Sequence, residues 1–246
     1  MKPAPQITNK FIKEYYDSNI AAKYDDYYEH FRWFESEYNW IQYRMIFHTV
    51  WEIAKKSSFA HVLEVGPGPG TWTKCFIYQN PAAHYTLVDI SEEMMSQNEI
   101  SLGFRDNLKR AAESFENFSV KEESYDIFFS SRVIEYAEDK NTFIKNASAS
   151  LKKNAKGYII TKIPQKHTSS RLQHRGQISP IDLKEILEKY DCKVTRCVPA
   201  SMKVRFGRTF PKLNWRAWQR MRTIDLVESP KTQDKVESYL IEFQKI

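Results

Sequence analysis

The sequence predicts an α/β fold, in which a mostly parallel sheet is covered by helices on both faces. Two observations lead to this prediction. Short apolar runs of strand length alternate along the chain with segments of helical periodicity, an order typical of parallel sheets. A glycine-rich turn, Gly66-Pro-Gly-Pro-Gly70, separates the first of these runs from the helix that follows it. The chain has 246 residues, a length that suits one α/β domain with additions.

Each element follows from periodicity and from the residues at its ends. An aromatic-rich stretch within residues 1–56 is predicted to form an N-terminal helical cap. The predicted strands are Leu63–Val65, Leu87–Asp89, Asp126–Ser130, Tyr158–Ile163, Cys192–Val198 and Ser238–Phe243, with a further strand expected close to residues 110–114. The predicted helices are Thr71–Gln79, Thr142–Leu151 and Pro180–Tyr190. The single domain is therefore divided into the cap (1–56), a cofactor-binding core (57–198), a basic aromatic insertion (199–237) and a last strand (238–246).

The glycine-rich turn and a carboxylate after the second strand indicate a nucleotide-like ligand. Glycine stands at every second position from Gly66 to Gly70, so the backbone there can pass close to a ligand. Asp89 follows Gly70 by 19 residues, where an acidic side chain of a βαβ unit reaches ribose hydroxyls. The dinucleotide pattern would need its third glycine at Thr71. Glu64 would repel a pyrophosphate, and it suits a ligand with a cationic part such as an ammonium group.

Three stretches together resemble the class I S-adenosylmethionine-dependent methyltransferases, chiefly those that act on small molecules, lipids and sugars. These stretches are Val62–Thr73, Val88–Met94 and Ser124–Asp139. The resemblance covers about residues 60–165. It implies a Rossmann-like, seven-stranded, mostly parallel sheet with helices on both faces and an antiparallel last strand. It also implies S-adenosylmethionine as the cofactor. The residues themselves offer no set with metal-ligand spacing, so no metal is expected.

The resemblance further implies roles for individual residues. Asp89 would accept hydrogen bonds from the cofactor ribose, Ile90 would pack on the adenine, and Glu64 would lie near the methionine end. The other residues implied in cofactor binding are Tyr24, Gly66, Pro67, Gly68, Gly70, Ser130 and Ser131. The family often has an aspartate near the end of the third strand, but this chain has alanine there, in Arg110-Ala-Ala-Glu-Ser114. Adenine recognition would then rest on backbone groups or on Glu113.

The N-terminal aromatic side chains have two interpretations. They could pack as the core of two amphipathic helices, or they could form a lid over the cofactor. The resemblance places the covering stretch at Ala22–Asp25, with Tyr24 near the cofactor.

The segment after the fifth strand supplies the candidate base. Pro164–Pro180 leaves the edge of the sheet at which ligands of open α/β sheets bind, and it contains basic residues but no acid. An oxygen nucleophile needs a base, and a histidine can be neutral at pH 7. His167 is therefore the candidate catalytic base and His174 the second choice, against the alternative that both are solvated loop residues.

The basicity of the chain is local. Residues 202–226 hold seven basic side chains and one acid, so their net charge of +6 equals that of the whole chain. Apolar side chains interleave with them; Leu213, Ala217, Met221 and Ile224 are predicted to share one helical face, with Trp218 beside them. Four interpretations stay open: a packed helix with a solvated charged face, contact with an anionic lipid surface or lipid-like substrate, a small or sugar-linked anionic substrate, and RNA.

The predicted function is methyl transfer from S-adenosylmethionine to a small-molecule, lipid-linked or sugar acceptor, at an oxygen atom. The alternatives are an RNA methyltransferase that uses residues 202–226 and a dehydrogenase on the same fold. Met1–Tyr15 contains no apolar stretch, and no window reaches the length of a membrane span. The expected location is cytoplasmic, with peripheral membrane contact through residues 202–226 as an alternative.

The three cysteines are expected to be free and reduced. Cys192 and Cys197 lie five residues apart on one predicted strand. Because side chains alternate along a strand, these two are expected to face opposite sides of the sheet.

Overall fold

The computed structural model describes residues 7–21, 28–164, 176–204 and 211–246. Its strands are β1 (His61–Val65), β2 (His84–Asp89), β3 (Leu108–Ala112), β4 (Tyr125–Ser131), β5 (Leu151–Lys162), β6 (Cys192–Met202) and β7 (Val236–Lys245). They form one seven-stranded sheet in the order β3-β2-β1-β4-β5-β7-β6. Strands β1 to β5 pair in parallel, whereas β7 is antiparallel to both β5 and β6. The predicted fold class is confirmed.

Helices pack against both faces of this sheet. The α-helices among the described residues are α1 (Asn9–Glu14), α2 (Tyr28–Trp33), α3 (Glu37–Lys56), α4 (Thr73–Gln79), α5 (Glu92–Leu102), α6 (Lys140–Ser150), α7 (Pro180–Lys189) and α8 (Pro211–Met221). A π-helical stretch, Tyr15–Ala21, follows α1, and a 3₁₀ turn, Pro230–Lys235, precedes β7. Serine residues at 36, 91 and 179 begin α3, α5 and α7, since each hydroxyl accepts a hydrogen bond from a backbone N–H in the first turn.

The central strands are apolar on both sides, as a covered parallel sheet requires. Val62 of β1 belongs to one buried cluster and its neighbour Leu63 to the other, on the opposite face. Ile127 and Phe128 of β4 divide between the two clusters in the same way. This alternation is why short, uninterrupted apolar runs in the sequence predicted these strands.

The strands are longer than predicted, which changes the bounds of the insertion. Strand β5 begins at Leu151, which pairs with Tyr125 of β4, instead of at Tyr158, and the register shifts before the ladder resumes at Lys156. Strand β6 continues to Met202, which pairs with Val236 at the start of β7. The predicted insertion 199–237 is therefore wrong at both ends, and the connection between the two strands spans residues 203–235.

The expectation for the two cysteines of β6 is also wrong. Both Cys192 and Cys197 are buried in the same hydrophobic cluster. The register of β6 against β7 shifts between Val194 and Arg196, so that Thr195 is an extra residue without a partner in the ladder. A β-bulge of this kind reverses the alternation of side chains after it. Because the bulge lies between them, Cys197 faces the same side of the sheet as Cys192 although the two are five residues apart. Neither cysteine forms a disulfide.

Helix α8 of the connection packs inward through its tryptophans. Trp218 is fully buried and clusters with Ile41, Met45 and Met202, while its indole Nε1 donates to the carbonyl of Pro199 at 3.3 Å. Leu213, predicted on the apolar face, is 41% exposed. Ala217 and Met221 pack against this cluster as predicted, whereas the prediction is wrong for Leu213 and for Ile224, which lies beyond the end of the helix.

The described helices include none with the combination of length and apolarity that crossing a membrane requires.

Candidate active site

A cavity of about 610 Å³ opens where the parallel strands end. One half is lined by the loop after β1, the end of β2 and the stretch after β3. The other half is lined by α2, the start of α3, the residues after β4, and the adjoining ends of β5 and β7. Residues Asn9, Ile12 and Tyr16 of the N-terminal cap cover it. The cavity therefore lies at the edge of the sheet that the topology predicts for a ligand site.

The loop after β1 exposes its backbone to the cavity. Gly66 and Gly68 both have positive φ, 71° and 51°, which side chains other than glycine rarely adopt. A Cβ on Gly66 would collide with Val133, whereas a Cβ on Gly68 would meet no protein atom within 4 Å. Gly68 thus faces open space within the cavity. Gly70 has a different environment, because a Cβ there would press on Leu102 of α5 at 2.9 Å.

Asp89 ties this loop to the end of β2. Its Oδ2 accepts a hydrogen bond from the backbone N–H of Gly68, and its Oδ1 accepts one from Ser91, both at 3.0 Å. Burial raises the pKa of Asp89 to about 6, with a further contribution from Asp17, although the backbone N–H groups oppose the shift. The carboxylate is oriented into the cavity by donors that leave lone pairs on both oxygens.

Glu64 lies beneath the loop and does not line the cavity. Its side chain is 1% exposed, and burial, together with the charge of Asp89, raises its pKa to about 8 despite the nearby Thr73 hydroxyl. Its Oε2 has no hydrogen-bond partner among the described residues. A carboxyl group in this environment is protonated at pH 7.

The other residues predicted to bind the cofactor divide into three groups. Pro67, Ile90 and Ser131 line the cavity. Ser130 is fully buried and does not line the cavity, and the hydroxyls of both serines are without partners in the described part of the chain. Tyr24 lies outside the described residues. Of the two alternatives for the adenine, the structure places Glu113 in the cavity wall just after β3 ends at Ala112, the residue paired with Asp89.

The second half of the cavity is polar and was not predicted from the sequence. Tyrosine hydroxyls and charged side chains line it: Tyr16, Tyr28, Arg32, Tyr38, Tyr136, Arg132, Lys162 and Glu237. Lys162 and Glu237 form an ion pair at 3.0 Å. Arg132 pairs with the buried Glu135 at 2.6 Å, and Glu135 also accepts from the hydroxyl of Thr161.

Arg132 has a left-handed backbone, with φ of 65°, immediately after β4. Non-glycine residues in this region are uncommon, and they are found at functional sites where the surrounding structure holds them. Here the ion pair with Glu135 and the hydrogen bond from the N–H of Arg132 to Ile160, at 2.7 Å, hold the residue. The Ser-Arg-Val-Ile-Glu spacing was visible in the sequence, but nothing local predicted that this conformation would turn the arginine into the cavity.

The N-terminal cap is attached directly to the cofactor half. Asp17 accepts hydrogen bonds from the hydroxyl of Ser91 at 2.5 Å and from the N–H of Glu93 at 3.4 Å. The ring of Tyr16 contacts that of Tyr136 edge-on, with centroids 6.0 Å apart. These contacts favour the lid interpretation for the first helices. His167 and His174 lie outside the described residues, and the base stays a prediction.

Comparisons with known proteins agree with this geometry. A family model described as a methyltransferase domain matches residues 63–156. The malonyl-[acyl-carrier protein] O-methyltransferase 1 of Ilyobacter polytropus is 31% identical over 80 residues. That match spans 32% of this chain and 30% of the relative, so the chain aligns with less than a third of this curated protein. Residues 63–156 therefore match a methyltransferase domain, and the chain shares its fold with S-adenosylmethionine-dependent methyltransferases.

Solved structures show the same fold over nearly the whole chain. The [4+2]-cyclase SpnF superposes with a TM-score of 0.70 at 12% identity, covering 98% of this chain and 97% of its own. The N-methyltransferase NodS of Bradyrhizobium japonicum, solved with S-adenosylhomocysteine, superposes with a TM-score of 0.57 at 14% identity, covering 90% of this chain and 98% of its own. The N-terminal cap and the last two strands are therefore part of a known arrangement.

S-adenosylmethionine fits the first half of the cavity on three observations. The backbone at Gly68 leaves space into which no side chain projects. Asp89 presents a carboxylate with lone pairs suited to a ribose diol. The buried Oε2 of Glu64 and the hydroxyls of Ser130 and Ser131 lack partners among the described residues, as expected of groups near a polar ligand.

The raised pKa of Asp89 predicts a pH-dependent affinity for the cofactor product, S-adenosylhomocysteine. A ribose diol donates to the ionised carboxylate, so affinity should be constant above about pH 6 and fall by up to about tenfold per pH unit below it. Glu64, with a pKa of about 8, stays protonated between pH 5 and 7 and contributes little there. Calorimetry at pH 5, 6 and 7 measures the effect, and an affinity that is equal at all three would contradict it.

Proposed function

We propose that the protein transfers the methyl group of S-adenosylmethionine to a small-molecule acceptor held in the polar half of its cavity. The observation that carries this proposal is the continuity of one cavity of about 610 Å³ from Gly68 and Asp89 to the tyrosines and arginines opposite. Such a volume is within the range of ordinary ligand sites, about 300–1,000 Å³. When bound, the cofactor supplies an already activated methyl group, so the protein's task is chiefly to align the acceptor and exclude water.

Separate sets of residues would bind the cofactor and the acceptor. Asp89, the loop at Gly68 and Ile90 would hold the nucleoside, and Ser131 would lie between the two halves. Burial raises the pKa of Tyr136 to about 12 and raises that of Tyr28. These tyrosines therefore stay neutral at pH 7, and they would donate hydrogen bonds to the acceptor without removing its proton.

The acceptor atom and its base belong to the proposal. Methylation at oxygen is favoured by the hydroxyl-rich wall and by the partial likeness to a protein named as an O-methyltransferase. Among the described lining residues there is no histidine. We retain His167 as the base, from its place in the segment that follows β5, and a lipid-linked or sugar acceptor as the alternative to a free small molecule.

Two measurements in sequence test the function. S-adenosylmethionine and S-adenosylhomocysteine should raise the melting temperature and NAD should not, since a ligand at 100 times its Kd stabilises the folded state by about 2.7 kcal/mol. Methyl-labelled cofactor is then incubated with the protein and with small-molecule, lipid, sugar-linked or RNA fractions of a cell extract. Label in a small-molecule, lipid or sugar fraction supports the proposal. Binding of the cofactor without transfer to any fraction would overturn the catalytic part alone.

Contact with an anionic lipid surface is a further part of the proposal, and it would be electrostatic. The tryptophans of α8 pack inward, but Lys212, Arg216 and Arg220 are exposed. Arg222 is engaged elsewhere, by Glu52 and His48. Because β6 runs parallel to β5, its connection to α8 leaves from the edge of the sheet that holds the cavity.

We expect co-sedimentation with vesicles to rise with their anionic lipid content and to fall with added salt. The double variant Arg216→Gln/Arg220→Gln should weaken it by roughly thirtyfold, since each basic residue near such a surface contributes about 1 kcal/mol. Lys109→Gln/Lys193→Gln, which removes two exposed charges from other parts of the chain, is the matched control and should bind vesicles like wild type. If the wild-type protein does not bind anionic vesicles at low salt, the exposed basic side of α8 is only a solvated surface.

A further inference from the structure

The outer face of α3 carries a continuous row of aromatic side chains. Residues 40, 43, 47 and 51 follow one another at intervals of three or four positions, so they share one side of the helix. Neighbouring ring centroids lie 5.0–5.8 Å apart from one end of the row to the other. We call this row the aromatic stripe, and its members are Phe34, Trp40, Tyr43, Phe47, Trp51 and Tyr78.

Much of the aromatic stripe is open to solvent. Tyr78 is 74% exposed, Phe34 is 40% exposed, Trp40 is 41% exposed and Phe47 is 37% exposed. A single exposed apolar side chain is ordinary, but a continuous exposed patch is typical of a surface that contacts a membrane or another molecule. The stripe is therefore a candidate contact surface, and its surroundings indicate which contact it makes.

The charge beside the stripe is positive. From position 40 onward, the exposed residues of α3 are Trp40, Arg44, Phe47, Lys55 and Lys56. Glu52, the one acid of α3 beyond its first turn, pairs with Arg222 and with Lys56. The guanidinium of Arg44 lies 5.6 Å from the ring centroid of Trp215. The stripe thus adjoins α8, whose exposed side is also basic.

The packing of the rings within the stripe favours a lipid surface over a nucleic-acid base. The ring planes of Trp40 and Tyr43 are 13° apart, and those of Phe47 and Trp51 are 18° apart. These rings turn a face toward each other, and that face is closed to a further stacking partner. Bases bind exposed aromatic side chains by stacking on open ring faces. Tryptophan and tyrosine rings at a lipid–water interface have no such requirement.

The charge of the same face disfavours a second copy of this chain as the partner. A symmetric dimer brings the same patch of each copy together. It would place Arg44, Lys55 and the exposed basic side of α8 against their own equivalents, and like charges across an interface cost free energy. A surface of anionic lipid supplies the opposite charge.

We propose that the aromatic stripe inserts into the interface of an anionic lipid bilayer, with Arg44 and Lys55 near the headgroups. Helices that lie in a bilayer interface bury their apolar side about 5–10 Å into the boundary between headgroups and acyl chains. This contact differs from the electrostatic one proposed for α8, because it removes aromatic rings from water. It does not depend on methyl transfer.

The stripe also connects the lipid surface with the cavity. Tyr43 stacks on Trp72, with ring centroids 5.5 Å apart, and Trp72 lines the cavity. A protein bound through the stripe would therefore hold this wall of the cavity close to the lipid. If the proposed function is correct, the arrangement favours a lipid-linked acceptor over a freely dissolved one.

Vesicle binding at high salt tests the insertion. The stripe variant is Trp40→Ser/Phe47→Ser, and neither residue lines the cavity. The matched control is Ile100→Ser/Phe104→Ser, which removes two apolar side chains that are 66% and 82% exposed elsewhere. The vesicles contain equal parts of phosphatidylcholine and phosphatidylglycerol. In about 1 M salt, where charges are screened beyond about 3 Å, wild type and control should still bind. The stripe variant should bind at least about tenfold more weakly, because two rings no longer leave water.

The salt dependence separates this contact from that of α8. Arg216→Gln/Arg220→Gln should weaken vesicle binding at low salt and bind like wild type in about 1 M salt. Equal binding of wild type and the stripe variant at both salt concentrations would overturn the inference, as would a wild type that binds no vesicles. Loss of methyl transfer to every fraction would overturn the proposed function and leave the vesicle result unchanged.

Lipid quenching of tryptophan fluorescence gives a test that needs no variant. Phosphatidylcholine brominated near the top of its acyl chains should quench wild type more strongly than phosphatidylcholine brominated near the chain ends, because the insertion is shallow. Bound protein without any quenching would contradict insertion. A dimer of wild type that the stripe variant does not form would assign the stripe to a second copy. Single-stranded RNA that only wild type binds, without binding to vesicles, would assign it to RNA.

Discussion

Replacing Asp89 with alanine should weaken S-adenosylmethionine binding by at least tenfold, and by more than about a hundredfold if two ribose hydrogen bonds are lost in full. Each hydrogen bond from a ribose hydroxyl to an ionised carboxylate contributes about 1.5–3 kcal/mol, and two are expected at Asp89. The variant also frees the N–H of Gly68, which the carboxylate now holds at 3.0 Å. Isothermal titration calorimetry at pH 7.5 measures the loss.

The control for this prediction is Asp106→Ala, which removes an exposed aspartate from the turn before β3. It should bind the cofactor like wild type. Asp89→Asn, which keeps the shape of the side chain and loses the charge, should fall between the two. An Asp89→Ala protein that has wild-type circular dichroism and undiminished affinity would remove Asp89 from the ribose site.

Replacing Gly68 with valine should abolish measurable cofactor binding while the protein stays folded. A Cβ at this position meets no protein atom within 4 Å, so the new side chain would project into the space assigned to the ligand. The left-handed backbone at Gly68, with φ of 51°, adds a local strain of about 1–2 kcal/mol. Ultraviolet crosslinking to labelled S-adenosylmethionine and thermal melting together report the two effects.

Gly103→Val is the matched control, because Gly103 also has a positive φ, 71°, and free space around its Cβ, but it does not line the cavity. It should lose stability through the same kind of strain and still crosslink. If Gly68→Val crosslinks as well as wild type, the loop after β1 does not cradle the cofactor.

The cofactor half of the cavity could be predicted from the sequence because its determinants are local. The glycines at 66 and 68 belong to one turn, and Asp89 ends the next strand of the same βαβ unit. The order of strand, turn, helix and strand therefore places them together whatever the rest of the chain does. The central strands could be predicted for the same reason, because each is marked by an apolar run within its own short stretch of sequence.

The polar half could not be predicted in this way because its residues come from distant parts of the chain. Arg32 is contributed by the N-terminal cap, Lys162 by the end of β5 and Glu237 by β7. Arg132 reaches the cavity through a backbone conformation that its residue type does not favour. The bulge at Thr195 is a similar case, since no local signal in β6 marks the extra residue.

The interior position of β7 determines when the last part of the sheet can assemble during synthesis. Strands β5 and β6 follow one another in the chain, yet they are not neighbours, because β7 is inserted between them. A ribosome delivers residues from the N-terminus at about 5–20 per second, so β6 emerges before the strand that links it to the sheet. Glu237 and Ser238, which complete the cavity wall, lie on that late strand. The nucleoside half can thus be assembled during synthesis, whereas the half opposite it closes only once β7 has left the ribosome.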